Sequence, residues 1–196
     1  MTVRCHCADW PRYTHMPMKK LLAVLLFILI VVTSPAAQSE QWTAFVCQEG
    51  QFSILIPNPR IPQDLAETVI DQHLGVLKSH TYRVEGEMIA VSVAWFDYPA
   101  DVKIDSAEAL NEAQEQGILG LKGFKGQISA KKITLGDYPG VEITAKNETS
   151  LLRFRTYIVG HRNYTLFAAT LAEEPDQERV AKFFNSFRLR RPGRIG

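Results

Sequence analysis

Residues 88–96 (MIAVSVAWF) constrain the fold more tightly than any other part of the chain. Ile89, Val91, Val93 and Trp95 alternate with Ala90, Ser92 and Ala94, the period-two pattern of a strand. One face of that strand is large and apolar and must be buried. The other is made of small side chains, over which a helix approaches a sheet closely, so a helix is expected there. A chain carrying this strand has to build layers around a sheet.

The layers must hold without crosslinks. Lys19 and Lys20 precede an unbroken apolar run at 21–32 (LLAVLLFILIVV), and Thr33, Ser34, Pro35, Ala36 and Ala37 follow it. A charged start, a short apolar core and a small-residue end make a secretory signal peptide, with cleavage after Ala37 and before Gln38; Ala36 and Ser39 are fitting neighbours. The run is shorter than the roughly 20 residues a membrane span needs, which sets cleavage above anchoring through 18–37. Residues 1–17 fit no part of a signal peptide, so translation is expected to start at Met16 or Met18. Export leaves Cys47 as the one cysteine, so the core must suffice unaided. Losing Arg4, Arg12, Lys19, Lys20 and Asp9 turns the formal charge of +1 into about −2, which argues against a nucleic-acid partner.

Beyond the leader, 38–49 reads as a lead-in, 50–190 as one domain and 191–196 as a basic mobile tail. Phe52, Ile54 and Ile56 mark a strand that ends at Pro57. Residues 65–77 suit either a helix or two strands; Thr68-Val69-Ile70 and Leu74-Gly75 favour strands with a turn at Leu74-Gly75. Asp105 and Glu108 have capping-box spacing and open a helix whose stripe is Ala107, Leu110, Ala113 or Gln114, Gly117 and Leu121. Strands follow at 127–135, 141–145, 151–159 and 164–170, with Tyr138-Pro139-Gly140 as a type II turn and 160–163 as a hairpin. A second helix opens at Pro175 or Asp176 and buries Val180, Phe183 or Phe184, and Phe187.

Gly50-Gln51-Phe52, Asp97-Tyr98-Pro99, Tyr138-Pro139-Gly140, 159–164 (VGHRNY) and 183–189 (FFNSFRL), set in this order of elements, resemble the PsbP-like and DcrB-type exported domain family. That fold also occurs in a Ran-binding import factor. The resemblance implies an α+β fold, a central antiparallel β-sheet with helices packed on both faces as an α/β/α sandwich. It further implies a non-enzymatic role, since relatives attach to a larger protein or assist its assembly. Its motifs are turn and packing residues and assign no site.

The search for chemistry yields no catalytic, cofactor-binding or metal-binding residue. Cys47 would need a base such as His161 to act as a nucleophile, and a small buried thiol is the simpler reading. His73, His80 and His161 lack ligand spacing and read as surface or sheet-edge residues. Gly117, Gly120, Gly123 and Gly126, with Lys122 and Lys125, could cradle a phosphate, but the helix precedes the loop where phosphate loops need it to follow. A fraying helix end explains the glycines better. Asn147-Glu148-Thr149 and Asn163-Tyr164-Thr165 match the glycosylation pattern. The expected function is that of an exported protein-binding or assembly module, periplasmic or extracellular, whose partner is an envelope or membrane-associated protein. The alternatives are a hydrolase without a recognisable motif and a binder of small hydrophobic ligands.

Overall fold

The alternation at 88–96 becomes strand β5, Ile89–Asp97, in the middle of a seven-stranded sheet. The computed structural model describes residues 41–57, 62, 64–71, 75–86, 88–172 and 174–190, all within one unit spanning Glu40–Gly196. The leader, its expected cleavage pair Ala37 and Gln38, His73 and the tail 191–196 lie outside the described residues.

Two hairpin strands, β1 (Trp42–Cys47) and β2 (Phe52–Pro57), come first, so the segment read as a lead-in contains a strand. Strands β3 (Asp64–Asp71) and β4 (Gly75–Glu85) lead into β5, and helix α1 (Ser106–Gly120) follows. Then come β6 (Gln127–Leu135), β7 (Tyr138–Lys146), β8 (Ser150–Val159) and β9 (Arg162–Leu171). Helix α2 (Glu174–Ser186) and the short β10 (Arg188–Leu189) close the chain. The large sheet runs β3-β4-β5-β9-β8-β7-β6, every neighbour antiparallel, and β1-β2-β10 form a second sheet.

The core lies on the large face of β5. Val91, Val93 and Trp95 pack with Phe52, Ile54 and Ile56 of β2, with Val180, Phe183 and Phe184 of α2 and with Phe187 just past its end. Both phenylalanines of the expected pair are therefore buried, each contributing on the order of 1.5–3 kcal/mol before entropy. The small face of β5 departs from expectation. Helix α1 makes its sheet contacts with β7 and β8, and α2 meets β5 on the large face, so Ala90, Ser92 and Ala94 stay half-buried. The small residue that admits a helix sits on the helix itself: a Cβ on Gly117 would stand 2.5 Å from Ile143 Cδ1. Asp105 caps α1, accepting from the N–H groups of Ala107 (2.9 Å) and Glu108 (3.2 Å). Leu110 and Leu121 are buried as the stripe requires, whereas Ala107 is exposed and Ala109 packs in its place.

Three local expectations change. Tyr138-Pro139-Gly140 is not a turn but the start of β7; the chain reverses at Gly136-Asp137, with Gly136 at φ +59°. Gly140 is instead needed for close approach, since a Cβ there would meet Tyr157 Cδ1 at 2.5 Å and the Thr156 carbonyl oxygen at 2.6 Å. The β3–β4 register pairs Asp71 with Gly75 and Ala66 with His80, so the loop is three residues, not the two of a Leu74-Gly75 turn. The basic stretch from Arg188 is anchored where it starts: β10 pairs with β2, and the Arg190 N–H donates to the Gln51 carbonyl at 2.7 Å.

Glu142 on β7 is a buried carboxylate held by Arg155 Nε (2.6 Å) and Lys131 Nζ (3.0 Å). Burial works to raise its pKa, but the hydrogen bonds from Arg155 and Lys131, helped by the charges of Arg155 and Arg153, outweigh it and hold the pKa down. A folded pKa below the unfolded value of about 4.3 gives stability that is present above that value and lost as the pH falls through the folded pKa. Denaturant titrations should therefore show Glu142→Gln less stable than wild type near neutrality, with the gap narrowing in acid; a pH-independent gap would refute the ion-pair account. Gly140→Ala should lose about 1–3 kcal/mol in the same assay, because Tyr157 and the β8 backbone must move; an unchanged midpoint would contradict the close approach.

Candidate functional site

Two places bring polar side chains against aromatic rings. The first is centred on Trp95, which β-pairing sets between His80 of β4 and Tyr164 of β9. The His80 ring lies parallel to the indole at 4.3 Å, and the Arg162 guanidinium stands 4.3 Å from the indole centroid. Asp97 grips that guanidinium through two contacts of 2.5 and 2.6 Å, which raises the Arg162 pKa. Arg162 also donates to the Glu49 carbonyl at 2.9 Å, and the Tyr164 hydroxyl to the Gly50 carbonyl at 2.7 Å. The turn between β1 and β2, with Gln51 at φ +53°, is thus latched to the large sheet.

The expected histidine positions divide. His80 is only 3% exposed, neither a surface nor an edge residue, because the β4 register turns it under Trp95. Its Nδ1 is 2.7 Å from Asp64 Oδ2 and its Nε2 is 3.7 Å from Glu49 Oε1. His161 is exposed in the two-residue loop before β9. Glu49, Asp64 and His80 are a set whose ligand-type atoms all lie within 4.8 Å of one another. Their spacing in sequence gave no sign of this, since each comes from a different turn or strand. Cys47 is buried; its sulfur accepts from the Gly50 N–H at 3.1 Å and lies 3.5 Å from the Tyr82 hydroxyl. Burial pushes the Tyr82 pKa well up, and the Cys47 hydrogen bond adds to it.

These contacts make the Trp95 cluster a joint between two sheets. Removing the stacked ring in His80→Ala should cost about 2–4 kcal/mol, from the cavity it leaves under Trp95, measured by urea unfolding. A wild-type Tm that falls on adding a chelator would show the trio to be a metal site instead.

The second place is a cleft of about 340 Å³ between α1 and the sheet, on the face that carries the small side chains of β5. Ala113 and Gly117 supply the helix wall, and Phe96, Tyr98 and Phe154 the aromatic one. Phe96 and Tyr98 meet edge to face at 5.0 Å. The floor is a chain of three polar groups. Thr165 donates to Asn163 Oδ1 at 3.2 Å, so its proton is spent and Thr156, 3.2 Å away, must donate to it. Glu112 and Gln116 complete the polar lining. Its volume lies at the small end of ligand-binding clefts. In the sequence Asn163 reads as a hairpin residue and a glycosylation acceptor, and here it is buried beneath the cleft. The other acceptor, Asn147, caps the β7–β8 turn, taking hydrogen bonds from the N–H groups of Thr149 (3.0 Å) and Ser150 (2.8 Å). The glycine series serves packing at Gly117 and a positive φ of 96° at Gly123, beyond the end of α1. A helix C-terminus does not attract phosphate.

Among the described residues no helix is long and apolar enough to cross a membrane. No family model matches the chain, and no curated protein does. Among solved structures it is similar to cyanobacterial PsbP (CyanoP) from Synechocystis sp. PCC 6803, at 10% identity and a TM-score of 0.47, covering 82% of this chain and 99% of that one. It is also similar to LpqN of Mycobacterium tuberculosis, described as involved in cell envelope biogenesis, at 18% identity and a TM-score of 0.42, covering 77% and 91%. PsbP, whose family the sequence resembles, is thus among the structures the chain is similar to. With both TM-scores below 0.5, nothing further about this chain rests on these likenesses.

Proposed function

We propose that the chain is an exported, non-enzymatic module that binds another protein at the cell envelope through the half-roofed face of its large sheet. The observation that carries this reading is the position of α1 over β7 and β8, which leaves Ser92 and Ala94 of β5 and Thr165 and Phe167 of β9 half-buried on the same face. A two-sided sheet with small side chains on a partly open face is suited to receive an element from elsewhere. The groups beside it are hydroxyls, two amides, aromatic rings and the Glu112 carboxylate, which suit holding an occupant. The export part of the reading rests on the leader at 18–37. We also read the two helices as outer layers on opposite faces, since Tyr157 packs in the α2 core and its neighbour Ile158 in the α1 cluster.

A photo-crosslinking residue placed at Ser92 or Ala94 in the exported protein should give one discrete adduct in intact cells, absent when it is placed at Lys131 on β6. Equal adducts from both positions, or none from the open face, would overturn the reading.

A further inference from the structure

The groups lining the cleft select a chemistry. Thr165 and Asn163 are both used in the floor chain, and Thr156 donates inward to Thr165. What remains for an occupant is the Asn163 amide N–H₂ as donor and a Thr156 oxygen lone pair as acceptor; neither has another partner among the described residues. A donor and an acceptor at the two ends of that chain match one residue of an extended peptide, whose own C=O and N–H point to the same side; a single trans amide turns these groups to opposite sides. Phe96, paired with Asn163 across β5 and β9, suits an apolar side chain. Among the described residues Glu112 is the one charged residue lining the cleft, so an anionic occupant would be repelled and left unpaired.

We propose that this cleft receives a neutral, apolar peptide segment of a partner polypeptide, the C=O and N–H of one extended residue on Asn163 and Thr156 and its apolar side chain against Phe96. This rests on the protein-binding reading above and names the part of the partner that is recognised. A bound free small molecule is the competing occupant.

The test is a titration of the isotope-labelled exported domain, residues 38–196, followed by amide chemical shifts. The probes are N-acetyl-phenylalaninamide, its anionic acid N-acetyl-phenylalanine, and the capped tripeptide N-acetyl-Ala-Phe-Ala-amide. The neutral amide should shift Gly117, Thr156, Asn163 and Thr165, and the acid should bind at least about tenfold more weakly. The tripeptide should bind more tightly than the single residue. Thr156→Val should weaken the amide about tenfold, the loss of one hydrogen bond, and Ala113→Leu, which fills the cleft from the helix side, should abolish binding. Equal binding of acid and amide, shifts outside the cleft, or insensitivity to both variants would overturn the site. A tripeptide no tighter than the single residue would overturn the polypeptide occupant in favour of a small molecule. Failure of these probes leaves the crosslinking result at Ser92 and Ala94 standing, so the two readings fail separately.

Discussion

Phe52 is the contact on which the rest of the structure depends. It is fully buried, and Phe45, Tyr82, Tyr164 and Phe187 surround it with ring centroids 5.6 to 6.3 Å away. Those four rings come from β1, β4, β9 and the end of α2. One side chain therefore ties both sheets and a helix together. Aromatic pairs of this kind contribute about 0.5–1.5 kcal/mol each beyond the area they bury. Cys47 is the one cysteine among the described residues, and such a hub does there what a crosslink does in small disulfide-bonded folds.

The polar contacts around that hub are better read as alignment than as a source of stability. Arg162 with the Glu49 carbonyl and Tyr164 with the Gly50 carbonyl fix the β1–β2 turn against the large sheet, while Asp97 and Asp64 hold Arg162 and His80 from within that sheet. Breaking the Tyr164 or the His80 contact would leave a buried polar group unsatisfied. The cleft has a similar logic on the other face. Gly117 draws α1 onto Ile143 over β7 and β8. The gap beside it is bounded by the polar chain of Thr156, Thr165 and Asn163.

Much of the fold was legible where a pattern was local. Strand β6 falls at 127–135 as read, Asp105 caps α1, and the phenylalanines of α2 are buried. The errors share a physical cause, which is that two signals competed within a few residues. Pro139-Gly140 looked like a turn and masked Gly136-Asp137, itself an accepted two-residue hairpin sequence. The strand β10 was hidden because two residues carry no periodicity, and pairing with β2 alone defines it. The small face of β5 announced a helix over that strand, but α1 settles over β7 and β8, and the glycine that permits its close approach lies in the helix. Neither the cleft nor the Trp95 cluster could be read, because Leu77 and Thr165, or Glu49 and Arg162, meet only once the register of four strands is set.

The pairing of β10 with β2 carries a consequence for how the polypeptide folds. The middle strand of the small sheet waits for residues 188 and 189, which lie far along the chain from it. Until they pair, Phe52 has no Phe187 beside it, and long-range closures of this type are slow. A chain built in this way keeps its hub open until that late closure is made.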